Sequence, residues 1–220
     1  MMKDNVADNK KPLTQSIALS LAIILTFNPL LAVAADLVVA PGSGNTQIGQ
    51  APNGVPVVNI NAPGANGLSH NKFTEYNVGQ QGLILNNVAN GYSQTQLGGV
   101  VEYNPNLGGR AANTILNEVT GGNASRLQGY TEVAGQQAHV IVANPHGVTC
   151  NGCGFINTPR VTITTGRPII ENGQVDHYDV TQGRVTVEGS GLNAANVSQF
   201  DIIARSTEIN AEIYARQLNI

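Results

Sequence analysis

A parallel β-helix with extra antiparallel strands is the fold this sequence predicts, and three observations predict it. The composition is that of an all-β protein: only 11% of residues are charged, tryptophan is absent, and 25 glycines punctuate a chain rich in Val, Ile, Thr and Asn. Apolar or alternating runs are short, and each stops at Gly, Asn or Pro. Leu192-Asn193-Ala194 matches Ile209-Asn210-Ala211 at a step of 17, a step that also carries Ile203 onto Ile220. A step near 20 residues is the size of one solenoid coil, in which apolar side chains stack on the coil before and Asn residues line up at turns.

The first segment sets the compartment. Lys3, Lys10 and Lys11 form a basic region, Ile17 to Phe27 an apolar core, Asn28-Pro29 a helix stop, and Ala32-Val33-Ala34 a small-residue cleavage site. Residues 1–35 are therefore predicted to be a signal peptide. The competing reading, a membrane anchor, has to place Asn28-Pro29 inside a run already short for a span. Processing leaves 36–220, about 185 residues, enough for one domain with a real core. Losing Lys3, Lys10, Lys11, Asp4 and Asp8 moves the formal charge from -3 to -4 and leaves Lys72 as the last lysine. Such a surface would not hold a phosphate backbone, so no nucleic-acid partner is expected.

Strands are expected at Pro56 to Ile60, Phe73 to Val78, Gly82 to Leu85, Val100 to Tyr103, Ala138 to Ala143, Val161 to Thr164, Arg184 to Glu188, Phe200 to Ala204 and Ala211 to Ala215. Ala111 to Val119 has helical spacing at Ala112, Ile115, Leu116 and Val119, yet its Asn and Thr residues and Gly121-Gly122 equally allow a strand and turn. Asn53-Gly54, Asn66-Gly67, Asn90-Gly91 and Asn172-Gly173 permit hairpins, so antiparallel pairs are expected outside the coils. A sandwich or barrel is the competing all-β architecture. A solenoid ending at Ile220 would expose its last coil, so further coils are expected beyond it.

Asn104-Pro105-Asn106-Leu107 and Asn144-Pro145-His146-Gly147 read as sharp corners. Asn before Pro is pushed out of the helical region, Pro fixes φ, a following Gly accepts positive φ, and the Asn side chain can bond its own turn. Cys150 and Cys153 admit three readings. A short-range disulfide comes first, since Gly152 and Gly154 let the backbone curl and the chain is exported to an oxidising compartment. A redox-active pair would need a βαβ setting, and zinc would need more than the nearby His139 and His146. Asp176-His177-Tyr178-Asp179 could suggest a metal, but the Glu171-Asn172-Gly173-Gln174 turn favours a solvated hairpin arm. No nucleophile elbow, phosphate loop or His-Glu-x-x-His is present. No catalytic residue, metal or cofactor is therefore assigned.

Taken together, the leader, Gly67 to Phe73, Tyr76-Asn77-Val78, Ile115 to Val119, the two Asn-Pro segments and the run Gly147 to Thr158 resemble the secretion domain of two-partner-secretion exoproteins, the family of filamentous haemagglutinins, haemolysins and contact-dependent growth-inhibition proteins. The resemblance covers nearly all of the mature chain, and His146 departs from the Asn commonest at its position. It implies a right-handed parallel β-helix with an N-terminal cap and extra-helical antiparallel strands. It implies also that residues 104–107 and 144–147 serve recognition in the periplasm by a cognate outer-membrane transporter of the TpsB/CdiB kind, through its POTRA domains. The protein would then reach the surface of a Gram-negative cell or its medium, as the N-terminal part of a toxin or adhesin with β-helical repeats downstream. A haemolysin parent, or a free-standing β-helical enzyme such as a polysaccharide lyase, is the alternative.

Overall fold

The computed structural model describes residues 36–220; the expected signal peptide lies outside the described residues. The chain begins with β1 (Leu37–Val39), β2 (Gln47–Gln50), β3 (Pro56–Asn59), β4 (Leu68–Tyr76) and β5 (Leu83–Asn87). A hairpin of β6 (Tyr92–Thr95) and β7 (Gly99–Glu102) and a 3-10 turn, Pro105–Leu107, lead to β8 (Thr114–Val119). There follow β9 (Ser125–Leu127), β10 (Tyr130–Gly135), β11 (His139–Ala143), β12 (Val148–Cys150), β13 (Cys153–Ile156) and β14 (Arg160–Thr164). A second hairpin, β15 (Arg167–Glu171) and β16 (Gln174–Asp179), precedes β17 (Arg184–Val187), β18 (Leu192–Ala194), β19 (Gln199–Ile203), β20 (Ser206–Ile209), β21 (Ile213–Ala215) and β22 (Leu218–Asn219).

These strands stack into three sheets, ordered β1-β4-β8-β11-β14-β19-β22, β2-β3-β5-β10-β13-β18-β21 and β20-β17-β12-β9. Pairing is parallel throughout them except at the N-terminal edge, where β1 lies antiparallel on β4 and β2 antiparallel on β3. The molecule is thus a parallel β-helix whose first two strands close its N-terminal end. Each expected apolar run holds a strand, and the ambiguous Ala111 to Val119 contains β8. Its spacing mimics a helix because Ile115 and Val119 enter the main core while Leu116 packs on the opposite face of the sheet.

The repeat register needs correcting. Leu192-Asn193-Ala194 stacks on Ile213-Tyr214-Ala215, not on Ile209-Asn210-Ala211. Ile209 belongs to a different sheet and pairs with Val187. The apolar-x-Ala pattern of an inward-facing strand occurs at both places, so similarity of letters selected the wrong rung.

Inward residues form ladders. Ile115, Val140, Val161 and Phe200 occupy successive rungs of the first sheet, and Val148 with Val185 and Cys150 with Val187 continue the core in the third. The two hairpins lie outside this core and cover its flanks. The first is joined to a cluster of Val57, Ile84 and Ala134 through Val101. The second sets Val175 and Tyr178 on Leu68, Leu116, Ile141 and Ala143. Asn172 and Gly173, both at positive φ, turn this hairpin, and Asn53-Gly54 lies in the β2–β3 connection. Asn66-Gly67 and Asn90-Gly91 instead lead into β4 and β6.

Candidate functional site

The two Asn-Pro segments adopt one local design at two corners of the solenoid. In the first, Asn104 caps the 3-10 turn: its Oδ1 accepts from the Asn106 N–H at 3.0 Å, and its Nδ2 donates to the carbonyls of Ile60 and Asn86, each at 2.9 Å. Pro105 supplies the fixed φ that starts the turn. Leu107 drops into the main core. Asn106 ties the corner to the N-terminal strands by donating to the Asn45 carbonyl at 2.7 Å. In the second, the Asn144 Oδ1 accepts from the His146 N–H at 2.9 Å, while Nδ2 donates to the Asn123 carbonyl and the Ser125 hydroxyl, both at 2.9 Å. Gly147 then adopts φ +116, with the Arg184 carbonyl where a Cβ would clash at 2.9 Å. Only Gly satisfies both constraints.

Burial separates the members of each motif. Asn104 is 1% exposed and Asn144 0%, with every side-chain polar atom partnered. Pro145 and Gly147 are buried as well, whereas Pro105 and the His146 ring are exposed. The third position therefore differs between the copies: Asn106 is a tether, and His146 contributes only its backbone. No hydrogen bond joins the two corners to each other among the described residues. Other asparagines repeat the device, and these the sequence reading passed over: Asn87 donates to the carbonyls of Ala112 and Gln136, and Asn157, at φ 56, to those of Val133 and Gly135. Their signal was the recurrence of Asn near the ends of apolar runs.

Cys150 and Cys153 are bonded, with α-carbons 5.3 Å apart, and both are buried. The bridge crosses the corner between the third and second sheets. Cys150 is a rung between Leu127 and Val187, and Cys153 stacks on Leu192. Among the described residues no group of three or more His, Cys, Asp or Glu side chains comes together. His139 contacts the Thr162 hydroxyl at 2.9 Å and His146 faces outward.

A cleft of about 350 Å³ lies between the first sheet and the second hairpin, lined by Leu68, His139, Ile141, Arg160, Val175 and Tyr178 among others. Burial, aided by the nearby Arg160 charge and opposed by Asp201, pushes the His139 imidazole down to about 4. Burial also raises the Tyr178 phenol to about 12. Burial would raise the Asp201 carboxyl, but hydrogen bonds from Asn219, Gln199 and Arg160 outweigh it and hold the group below its ordinary value. Arg160 is occupied by Asp201, 2.7 Å away. Two of the cleft's polar groups, His139 and Arg160, are thus engaged by Thr162 and Asp201, which lie outside its lining.

Residues 36–220 match the family model of the TPS secretion domain. The chain is 57% identical over 203 residues, 91% of its length, to a 16S rRNA endonuclease CdiA of Enterobacter cloacae, and 52% identical over 202 residues, also 91% of its length, to a tRNA nuclease CdiA of Escherichia coli strain 536. It spans only about 6% of the length of these curated relatives. A crystal structure of a filamentous haemagglutinin secretion domain superposes with a TM-score of 0.75 at 42% identity, covering 80% of this chain and 58% of that one.

Proposed function

The chain belongs to the TPS secretion-domain family, and from that membership we propose that residues 36–220 are the transporter-reading and folding-nucleation domain of a longer exoprotein, with residues 1–35 its signal peptide. TPS exoproteins leave Gram-negative cells for the surface or the medium, and the domain implies a cognate transporter. The region is a secretion domain of the CdiA and filamentous haemagglutinin type rather than a catalytic one. We assign the parent to the contact-dependent inhibition toxins, because relatives alike over nine-tenths of this chain are named CdiA. A nuclease activity of the parent would reside beyond residue 220. The haemolysin and free-standing enzyme alternatives gain no support from these relatives.

The burial of Asn104 and Asn144 carries the finer reading. An amide that is 0% exposed and fully hydrogen-bonded offers nothing to a partner, so these two asparagines can be read only before the corners close. The unfolded chain would meet the transporter's POTRA domains in the periplasm, adding as an extended strand to a sheet edge there. Once outside, the same asparagines would lock the corners, and coil-by-coil folding would bias the direction of transport.

Asn144→Ile tests this. Signal-peptide cleavage should proceed, since inner-membrane export reads only the leader. Appearance outside the cell should fail, and unfolded Asn144→Ile chains should bind the purified POTRA domains more weakly than wild type. Equal affinities, with loss of folded stability alone, would make Asn144 a structural corner and remove it from the recognition residues.

A further inference from the structure

The cross-section of the solenoid is not uniformly apolar along its length. One inward ladder of the first sheet runs Asn71, Asn117, Val142, Ile163, Ile202 from the N-terminal coils onward. Asn71 is provided for: its Oδ1 accepts from the Thr46 hydroxyl and the Asn61 N–H, both at 2.9 Å, and its Nδ2 lies 3.2 Å from the Ser69 hydroxyl. Asn117, one rung further in, is not. It is 0% exposed, and neither its amide nitrogen nor its oxygen has a hydrogen-bond partner among the described residues. The next rung up is Val142, an apolar neighbour. The Tyr76 hydroxyl, on the strand that pairs with β8, is likewise buried and unpartnered.

A buried amide without partners keeps the cost of leaving water and regains nothing. At this rung Val would continue the ladder above it, so the Asn lowers stability at the step where the first coils join the apolar stack. We propose that Asn117 is a built-in folding brake: a polar rung that holds the early coils back until the chain is outside the cell. This rests on the secretion reading, under which a chain that folded in the periplasm could not be threaded.

The test uses the whole chain with its transporter. Purified in denaturant and refolded, Asn117→Val should show a folding equilibrium constant about tenfold or more above wild type, the scale of relieving one unsatisfied buried group. Asn117→Leu, close to Asn in shape, repeats the comparison in case the branched side chain packs poorly. In cells, the stabilised variant should appear outside in smaller amount and leave protease-resistant, signal-cleaved chain in the periplasm. Adding Ile163→Val, a shaved rung two above on the same ladder, should return export towards wild type by lowering stability again. Lower folding constants for both single variants would show that Asn117 is satisfied in the native state and overturn the proposal. Higher stability with unchanged export would overturn it too. Failure of wild-type export to depend on the transporter would instead sink the secretion reading, whatever the folding measurements gave.

Discussion

Asn144 accepts one hydrogen bond from its own turn and donates two to the preceding segment, so a single side chain both shapes a corner and fastens it to its neighbour. The Asn-Pro order made the turn legible, since Pro restricts the residue before it and Asn bonds locally. The partners Asn123 and Ser125 were not legible, because they are set by how coils stack. His139 illustrates the same limit. In the folded state its imidazole stays neutral to about pH 4, against an ordinary value of 6.5 in the unfolded chain. Between those values the unfolded chain binds more protons, so this contribution to stability is complete above pH 6.5 and declines as pH falls towards 4. Denaturant midpoints at pH 7.5 and 5 should show that loss, and His139→Gln should remove part of the slope; an unchanged slope would mean that His139 is protonated in the fold. The cysteines make a smaller claim. Replacing Cys150 and Cys153 by Ser should cost about 2 kcal/mol or less, since the closed loop is short, and export should survive. Resistance of both thiols to alkylation before reduction, in denatured secreted protein, is the check on the bond itself.

The elements that sequence periodicity missed are those whose reason for existing lies elsewhere in the chain. Three-residue strands such as β9, β12 and β18 carry too few residues for alternation to register, and they exist because the coils on either side supply their hydrogen bonds. The hairpins divide differently. Asn172-Gly173 announced the second one through its turn chemistry. The first turns at Gln96 to Gly98 without such a pair, and is held by Glu132, whose buried carboxylate accepts from the backbone N–H groups of Gln96 at 2.8 Å and Leu97 at 2.9 Å. Glu132→Ala should leave those donors unpaired and cost about 2–3 kcal/mol, with faster amide exchange confined to residues 92–102. Glu132→Gln, which keeps one acceptor, should fall between. Uniform loosening of the whole solenoid would contradict a local clamp.

At the scale of the molecule, the stacked sheets require that circular dichroism of residues 36–220 show β structure with little helix; a helix-dominated spectrum would contradict them. The sequence by itself determined that class. Sparse charge, abundant Gly and Asn, and short apolar runs cannot build amphipathic helices, and the motifs along the chain identified the secretion-domain family. What only the tertiary structure decided was register and burial: that Leu192 stacks on Ile213, that Asn104 and Asn144 are sealed inside closed corners, and that Asn117, between Asn71 and Val142 on its ladder, has no side-chain hydrogen-bond partner among the described residues. The physical reason is that strand composition is a property of neighbouring residues, while a rung joins positions tens of residues apart. Two connections of unequal length, each carrying a hairpin, shift that register by amounts that only the packed coils fix.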